Sequence, residues 1–598
     1  MESTQSFSEL RQQAGFSLEQ AATYLCQSVA VVSLLESGEA EPGAGVVRAL
    51  LLEASLRGAL RNHSAASPCP DNIALLAPQP SEWADRTGAD YVSTVSDEHR
   101  KSHGLFLTPV AIAAFSASLI SNGSACLRIL DPAAGAGILL CAAVETLLDR
   151  HNPPRSIALH AYEIDPKLSR ILSENLNHLV EWAAKRGTTI AVIIEQQDFV
   201  LAHGSVLQSI DDLIANDQSV GGYDVVIANP PYFKLNKSDL RVQAAHSVVC
   251  GQPNIYGLFM AVGAALLKPG GQCIYIVPRS FASGPYFRKF RSWFFKNMRP
   301  ELVHVFGSRR DAFSRDDVLQ ENVIIKCVRE EHWNNDPRMI VSSSAGLKDI
   351  GKPALHSVPV SCALDRKSKN VVLRLPATSA DDDVLRLVDS WPCTLATLGL
   401  QISTGPVVPF RSTEHIDATG EAGNTHAPLL WMNHVRAMDV RWPLGRHKPE
   451  FIRVMRDSIP LLLANRNYVL LRRFSAKEEH RRLVAGPYLA RMFKTEFVGL
   501  ENHLNYLYRP KGDLDEDEAI GLAALLNCEL LDTYFRISNG STQVNATELR
   551  EMPFPPLEVI VDIGRDVRCS GWTGEQVSDA VLRQLTRFSG KPKRTAFG

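Results

Sequence analysis

The 598-residue chain lacks three features that would point to particular classes of protein. Its 63 basic and 65 acidic residues leave a net charge of only −2, so any contact with nucleic acid must come from local patches. The eleven cysteines form neither a CxxC pair nor a Cys/His cluster at zinc spacing, which predicts free thiols and no metal site. No apolar run approaches the roughly 20 residues of a membrane span, and the start shows no secretory signal pattern. We therefore expect a cytoplasmic protein of several domains with no membrane partner.

What the sequence does contain is a short β-branched run, residues 225–227, that stops at the corner Asn229-Pro230-Pro231-Tyr232. Such a run predicts a buried strand of a parallel sheet, whose carboxyl end is where these sheets bind ligands. Proline donates no hydrogen bond, so the Asn229 side chain and the Pro230 carbonyl can both offer acceptors there. Two acceptors beside the ring of Tyr232 suit an exocyclic amino group on a planar base. A proline-terminated strand without chemistry is the alternative.

A predicted strand and a turn of small residues lie upstream, at residues 127–137. The turn contains Gly135 and Gly137, and glycine lets the backbone approach a ligand closely. On its own this pattern fits either a dinucleotide-binding turn or close packing of a strand on a helix. A second predicted strand, residues 157–162, ends at Glu163, whose carboxylate can accept hydrogen bonds from both hydroxyls of a ribose.

A third predicted strand, residues 190–194, precedes Asp198 and Phe199. The carboxylate could accept from an adenine amino group, and the phenyl ring could line the adenine. Further upstream, Thr108 is a candidate N-cap with Pro109 in the first helical turn, and such a helix N-terminus can hold a carboxylate. Because parallel strands share a carboxyl edge, the spacing predicts half of a doubly wound sheet with an adenosine-like pocket across that edge.

Five segments carry a resemblance to a known family: Thr108-Pro109, residues 131–137, residues 162–165, Gln197-Asp198 and residues 229–232. In this order they resemble the gamma-class adenine-N6 DNA methyltransferases of restriction–modification systems, in particular the TaqI-like and PstI/BsuBI-like groups. Family members more often have Cys at position 134 and Ser or Thr at position 136, where this chain has alanine. The resemblance covers roughly residues 101–556 and implies an α/β fold with a doubly wound, Rossmann-like methyltransferase sheet.

The resemblance also implies the chemistry and the residues that perform it. The methyl donor would be S-adenosylmethionine, the partner double-stranded DNA, and the target an adenine flipped out of the duplex. The implied cofactor-binding residues are Thr108, Asp131, Ala133, Gly135, Gly137, Glu163, Asp198 and Phe199. The implied catalytic residues are Asn229, Pro230, Pro231 and Tyr232. Family analogy adds Phe313 as a second face of the base pocket, and a loop anchor is the alternative for that residue.

Positive charge gathers in two parts of the chain downstream of the corner. Arg279, Arg309 and Arg310 would contact phosphates if the substrate is nucleic acid, although such clusters are often only solvated surface. From residue 395 a second architecture of short strands begins, in which the predicted phosphate contacts are Arg472, Arg473, Arg481 and Arg482. Two polar loops there contain Asn502 and Gln543, whose amides could read base edges. Both loops resemble the target-recognition domains of the same methyltransferases.

Residues 8–42 contain two helical patterns that begin at Ser17 and Ser28 and resemble the repressor-like helix-turn-helix family. The second helix exposes few groups suited to base edges, and the segment is richer in Glu than in Arg. We therefore favour a degenerate module used for packing or dimerisation slightly over a DNA-binding one.

The predicted organisation has five parts. They are a helix-turn-helix-like all-α module (1–75), a linker (76–100), an S-adenosylmethionine-dependent catalytic domain (101–330), a bridging segment (331–394) and an α+β target-recognition domain (395–598).

Three other functions fit parts of the pattern. Methylation of a protein Gln amide or an RNA base amine would use the same corner but leaves the region after residue 395 without a role. A DNA-binding regulator with a relict sheet should have lost residues 229–232 first. A nicotinamide dehydrogenase explains the glycines but not the corner. The sequence contains no convincing nuclease carboxylate cluster, so cleavage, if it belongs to the system, is expected in a separately encoded endonuclease.

Overall fold

The computed structural model describes residues 12, 33, 37, 78–96, 98–100, 104–121, 123–207, 222–307, 321–330, 333, 336–365, 370–445, 448–475, 479–539 and 543–589. They belong to two compact units, Met1–Ala377 and Thr378–Gly598. The predicted helix-turn-helix module lies outside the described residues except for Gln12, Ser33 and Ser37.

A nine-stranded sheet forms the centre of the first unit. Its strands are β1 (Cys126–Asp131), β2 (Ser156–Tyr162), β3 (Thr189–Glu195), β4 (Tyr223–Ala228), β5 (Leu267–Pro278), β6 (Met298–Phe306), β7 (Asn322–Arg329), β8 (Arg338–Ser344) and β9 (Ala354–Pro359). They lie in the order β3-β2-β1-β4-β5-β7-β6-β8-β9. The five strands from β3 to β5 are parallel, whereas β7 runs antiparallel to both of its neighbours. A short antiparallel pair, β10 (Leu364–Asp365) and β11 (Val372–Leu373), completes the strands described in this unit.

The strand order reverses between β1 and β4, because the chain runs from β1 outward to β2 and β3 and then returns to β4 on the other side. Doubly wound sheets bind their ligands at the carboxyl ends of the strands flanking such a reversal. The predicted doubly wound α/β sheet is thereby confirmed. At its switch point, the turn after β1 lies next to the corner after β4.

Helices cover both faces of the sheet. In this unit they are α1 (Pro80–Thr94), α2 (Val110–Ser118), α3 (Ile138–Leu148), α4 (Pro166–Ala184), α5 (Phe199–His203), α6 (Leu240–Ala244), α7 (Ile255–Ala265), α8 (Arg288–Asn297) and α9 (Val360–Ala363). Successive side chains of a strand point to opposite faces, and β4 shows this directly. Val225 and Ile227 pack in the cluster with α2, α3 and α4, whereas Val226 packs in the cluster with α7 and α8. Burial on both faces explains the unbroken apolar run of this strand.

Two segments without a clear sequence pattern are regular in the structure. The predicted linker, residues 76–100, contains the 15-residue helix α1, whose buried face consists largely of small residues such as Ser81, Ala84 and Gly88. A Cβ atom on Gly88 would lie 3.0 Å from Cβ of Ala136, so close packing replaces the apolar stripe that marks most helices. The predicted bridging segment, residues 331–394, contains β8 and β9.

Strand β8 was hidden because its carboxyl half consists of buried serines. Ser342 and Ser344 hydrogen-bond to the buried ring of His304 at 2.8 and 3.1 Å. Burial lowers the pKa of His304 to about 4, so the ring is neutral at physiological pH. Hydrogen bonds between His304 on β6 and two serines on β8 thus replace the apolar contacts by which a buried strand is usually recognised in a sequence.

The second unit has an α+β architecture, as predicted. Its strands are β12 (Gln401–Thr404), β13 (Ile416–Asp417), β14 (His426–Leu430), β15 (Val435–Arg436), β16 (Asp439–Val440), β17 (Phe451–Arg453), β18 (Leu462–Ala464), β19 (Tyr468–Arg472), β20 (Ala485–Tyr488), β21 (Phe497–Leu500) and β22 (Leu504–Tyr508). They form a four-stranded sheet (β12-β22-β19-β20), a five-stranded sheet (β13-β17-β14-β21-β18) and the pair β15-β16. Its helices are α10 (Ser379–Asp389), α11 (Glu516–Leu526), α12 (Glu529–Ser538), α13 (Ala546–Glu551), α14 (Leu557–Ser570) and α15 (Gly574–Ser589).

Helices α11 and α14 touch backbone to backbone at two glycines. A Cβ atom on Gly521 would lie 1.8 Å from the carbonyl oxygen of Ile560, and one on Gly564 would lie 1.8 Å from that of Asp517. Any larger residue at either position must therefore push the helices apart. Within the described ranges, none of the helices combines the length and hydropathy that crossing a membrane requires.

Candidate active site

A cavity of about 310 Å³ opens at the switch point of the nine-stranded sheet. Its walls come from the segment before α2, the turn after β1, the ends of β2 and β3, and the corner after β4. The predicted site residues on these walls are Thr108, Ala133, Gly135, Glu163, Asp198, Phe199, Asn229 and Pro231. Residues that are far apart in the sequence thus meet in one cavity.

The turn after β1 presents its backbone to the cavity at Gly135. This residue has φ +55°, and a Cβ atom there would meet nothing within 4 Å, so the space in front of it is free for a ligand. Gly137 has φ +88°, but a Cβ atom there would lie 2.8 Å from Leu172 on α4. Gly137 therefore permits helix packing, and its predicted contact with the cofactor is corrected to this structural role.

Glu163 lies at the carboxyl end of β2 and braces the turn. One carboxylate oxygen accepts the backbone N–H of Gly135 at 3.0 Å, and the other accepts that of Asp165 at 2.8 Å. Burial raises the pKa of Glu163 to about 7, although these two hydrogen bonds oppose the shift. Each oxygen keeps a lone pair for a further donor, such as a ribose hydroxyl.

Asp131 lies beneath the same turn and is fully buried. One carboxylate oxygen accepts the Ala133 N–H at 3.0 Å, whereas Oδ2 has no hydrogen-bond partner among the described residues. Burial, together with the nearby charge of Glu163, raises the pKa of Asp131 to about 8. Asp131 does not line the cavity, so its predicted contact with the cofactor is corrected to a structural role beneath the turn.

Asp198 follows β3 and begins α5 as its N-cap, where Oδ1 accepts the Leu201 N–H at 2.9 Å. Its Oδ2 lies 3.6 Å from the guanidinium of Arg241, a cavity residue that no sequence pattern singled out. Phe199 borders the cavity but is nearly fully buried in the hydrophobic core. The apolar surface beside Glu163 comes instead from Ile164, which is 53% exposed. In the sequence, Ile164 could have been recognised as an apolar residue between two acidic ones, Glu163 and Asp165.

Asn229 follows β4, and its side chain is oriented by two donor contacts. Its Nδ2 donates to the Thr108 hydroxyl at 3.1 Å and to the Phe106 carbonyl at 3.3 Å. The Thr108 side chain therefore holds Asn229 rather than a helix end, because α2 begins at Val110 with Pro109 as the N-cap. The predicted N-cap role of Thr108 is corrected accordingly.

Tyr232 lies under Asn229 rather than on the cavity wall. It is 8% exposed, its ring stacks on Phe106 at 6.2 Å, and it meets the ring of Tyr256 edge-on. Its hydroxyl contacts the Asn229 side-chain oxygen and the Ile276 carbonyl. Tyr232 does not line the cavity, so the predicted flat ring beside the acceptors is not presented by Tyr232 in this structure. The aromatic residues that line the cavity are Phe106, Tyr162, Phe199, Phe233 and Phe259.

Of the basic residues predicted to contact DNA in the first unit, only Arg279 is described. It is buried and forms an ion pair with Glu321 at 2.9 Å, so it supports the structure instead of facing a phosphate. Arg309, Arg310 and Phe313 lie outside the described residues. No group of three or more His, Cys, Asp or Glu side chains suited to a metal ion occurs in the part of the chain that the structure describes.

The basic residues predicted in the second unit differ in exposure. Arg482 is 2% exposed and donates to the Ser475 hydroxyl at 2.9 Å, which excludes the predicted contact with phosphate. Arg472 is partly buried and donates to the Val435 carbonyl at 2.7 Å. Arg473 donates to the Asn502 carbonyl at 3.1 Å, and Arg481 is partly exposed. Asn502 and Gln543 are both half-buried.

Comparison with known proteins identifies the family. The chain is 31% identical over 522 residues to the type II methyltransferase M.PstI of Providencia stuartii, covering 87% of this chain and 99% of the relative. The chain belongs to the type II methyltransferases of restriction–modification systems. The type II methyltransferase M.BsuBI of Bacillus subtilis is 32% identical over 472 residues, which cover 78% of this chain and 90% of that protein.

Two family models also match parts of the chain. Residues 114–313 of the type II methyltransferase match the family described as Eco57I restriction-modification methylase. Residues 7–52 match the helix-turn-helix family, which confirms the predicted N-terminal module. Among solved structures, the DrdV–DNA complex is 13% identical, covers 93% of this chain and 66% of its own, and has a TM-score of 0.43. The chain is thus a DNA methyltransferase of restriction–modification systems, as predicted.

Proposed function

We propose that this type II methyltransferase modifies the N6 amino group of an adenine within a specific site of double-stranded DNA. The observation that carries the proposal is the position of the Asn229 amide in the cavity that also contains Gly135 and Glu163. Thr108 and Phe106 accept from the nitrogen of the Asn229 amide, and the Tyr232 hydroxyl donates to its oxygen, which keeps one lone pair for a further donor. An exocyclic amino group is the base substituent that offers hydrogen atoms to such an acceptor.

The groups around the turn after β1 fit an adenosine-containing cofactor. The open space at Gly135 and the spare lone pairs of Glu163 provide close backbone contact and acceptors for hydroxyl groups. Ile164 offers an apolar face, and Asp198 lies beyond it at the end of β3. When bound, S-adenosylmethionine supplies a methyl group activated by a positively charged sulfur.

Asn229 would act by positioning and by electrostatics. The lone pair of an adenine amino group is delocalised into the ring and is weakly nucleophilic. Hydrogen bonds from its two N–H groups to the Asn229 oxygen and the Pro230 carbonyl would localise that lone pair and aim it. No general base is needed beforehand, since the product amine loses its proton afterwards. Adenine within a duplex cannot reach the cavity, so the base must be flipped out of the helix.

The second unit would select the DNA site. Its short strands and polar loops lie in the predicted target-recognition domain, residues 395–598, and the four-stranded sheet carries Arg472 at the end of β19. A site-specific DNA methyltransferase needs, besides its catalytic cavity, a surface that recognises the base edges of its DNA site. No function in cleavage is proposed for this chain, and an endonuclease would be a separate protein.

The proposal is tested by expressing the full chain in a bacterial host that lacks adenine methylation and sequencing the DNA by a single-molecule method. We expect N6-methyladenine in one short motif, and its absence in the Asn229→Ala variant. Methyl groups on cytosine, or label from S-adenosylmethionine only in protein or RNA, would contradict the proposal.

A further inference from the structure

Three loops leave the four-stranded sheet of the second unit at the same end. Strand β12 ends at Thr404, β19 ends at Arg472, and β22 begins at Leu504. The register pairs Thr404 with Asn505 and Arg472 with Leu504. Because the neighbouring strands are antiparallel, the loops after β12, after β19 and before β22 therefore lie side by side.

Hydrogen bonds join these loops into one surface. The Asn502 N–H donates to the Val407 carbonyl at 2.9 Å, which ties the third loop to the first. The Arg473 N–H donates to the His503 carbonyl at 2.9 Å, and the Arg473 guanidinium donates to the Asn502 carbonyl at 3.1 Å. The rings of Phe474 and His503 are 4.9 Å apart. The His503 imidazole also contacts the buried carboxylate of Glu501.

Residues 543–545 dock on the same surface. Phe474 and Gln543 form an antiparallel bridge, and the Val544 N–H donates to the Arg473 carbonyl at 2.8 Å. The carboxylate of Glu548 accepts from the Asn545 amide at 3.2 Å and from the Asn539 amide at 2.6 Å. Gln543 is thus fixed beside Phe474, although the two residues are far apart in the sequence.

The first loop carries the most exposed aromatic residue among the large exposed hydrophobic side chains of the described residues. Phe410 is 75% exposed, and the Arg411 guanidinium lies 5.2 Å from the centre of its ring. An aromatic ring left in water next to a cation and a row of amide groups suits a partner with flat rings and phosphates. Proteins that bind DNA insert such rings against exposed bases or base steps, and cations beside them contact the backbone.

We propose that Phe410, Arg411, His503 and Gln543 form the reading edge, the surface of the second unit that recognises the DNA site. Phe410 stacks on a base or base step, Gln543 and His503 reach base edges, and Arg411 contacts a phosphate. This inference rests on the proposed function and adds the location of the recognition surface, including Phe410, Arg411 and His503, which were not among the predicted DNA contacts.

The experiment uses the full chain and three single variants, Phe410→Ala, Gln543→Ala and the control Leu582→Ala. Leu582 is also an exposed apolar residue of this unit, with 58% exposure on α15. The methylated motif of each protein is determined on genomic DNA of the expression host. Affinity is then measured for a duplex carrying the wild-type motif and for a duplex with the motif permuted. Thermal unfolding and S-adenosylmethionine binding check that each variant is folded.

We expect Phe410→Ala to weaken binding to the motif duplex by about tenfold or more, with unchanged S-adenosylmethionine affinity. Gln543→Ala should lower the preference for the motif over the permuted duplex by about tenfold and accept additional bases at one position. Leu582→Ala should match the wild type. If the wild type methylates a motif and both edge variants keep its motif and affinity, the reading edge is overturned while the proposed function stands. If the wild type methylates no DNA, both the proposed function and the reading edge are wrong.

Discussion

The side-chain nitrogen of Asn229 donates to the Thr108 hydroxyl at 3.1 Å, and this contact fixes the orientation of the amide at the corner. The orientation of the Asn229 amide therefore depends on Thr108, a residue 121 positions away in the sequence. Thr108 is a positioning residue in this account, because it acts on the target base only through Asn229.

Replacing Thr108 by Val keeps the shape of the side chain and removes the acceptor for Asn229. We expect the turnover rate to fall by about fivefold, the scale of one lost hydrogen bond of roughly 1 kcal/mol, with little change in S-adenosylmethionine affinity. Steady-state kinetics with labelled cofactor separate the two effects. Thr108→Ser keeps the hydroxyl and should stay near wild-type activity, whereas equal activity of the Val and wild-type proteins would remove Thr108 from the mechanism.

Glu163 predicts a pH dependence of cofactor binding. Burial raises its pKa to about 7, and only the ionised carboxylate can accept from both ribose hydroxyls. Affinity for S-adenosylmethionine should therefore fall as the pH drops below about 7, by up to about tenfold per pH unit. Calorimetric titrations between pH 5.5 and 7.5 measure this slope, and Glu163→Gln should abolish it. A wild-type slope of zero would contradict the assignment of Glu163 to the ribose.

The same pKa shift acts on stability with the opposite sign. The folded-state pKa of Glu163 lies above its unfolded value, so its contribution to the free energy of unfolding is present at acidic pH and is lost as the pH rises through about 7. Denaturant unfolding of the wild type and of Glu163→Gln across this window should show the wild type losing stability relative to the variant. If the free energies of unfolding of the two proteins change equally with pH, the Glu163 carboxylate is already ionised in the folded protein.

Arg482 should matter for stability and not for DNA. Its side chain is buried against Ser475 and lies 5.7 Å from the ring of Phe535, so Arg482→Ala should lower the free energy of unfolding by roughly 3 kcal/mol. Arg481→Ala, at the partly exposed neighbour, should cost well under 1 kcal/mol. Urea unfolding compares the two. A stable Arg482→Ala protein that has lost affinity for DNA would restore the role suggested by the sequence.

The contact of α11 with α14 gives a prediction about packing. Gly564→Ala places a methyl group against the Asp517 carbonyl and should lower the free energy of unfolding by about 1 to 3 kcal/mol or more. The matched control is Gly574→Ala at the start of α15, where a Cβ atom meets nothing within 4 Å. Thermal unfolding should separate the two variants clearly, and equal stability would show that the helices can move apart at little cost.

The parts of the fold that the sequence predicts are those in which local pattern and burial agree. Strand β4 is apolar on both faces and stops at two prolines, so its existence and its end are visible in the sequence. Helix α1 was missed because Ala84 and Gly88 achieve close packing without large side chains. Strand β8 was missed because its buried partner is the neutral ring of His304.

For the candidate site, the sequence predicts which residues lie on the cavity but not which side chains they contact in the fold. Glu163 and Asn229 lie on the cavity as expected, since each follows a strand of the parallel sheet. Arg279 and Arg482 look like surface cations in the sequence, and only the fold shows that each is buried. Arg241 meets Asp198 through a contact across the fold that leaves no trace in local spacing.

The most direct test of the central claim is the rate of methyl transfer by Asn229→Ala in a single turnover on DNA carrying the recognised motif. We predict that N6-methyladenine formation falls by roughly a hundredfold or more, the scale of losing one preorganised polar contact, while S-adenosylmethionine binds as tightly as to the wild type. A variant that still forms N6-methyladenine at the wild-type rate would contradict the account.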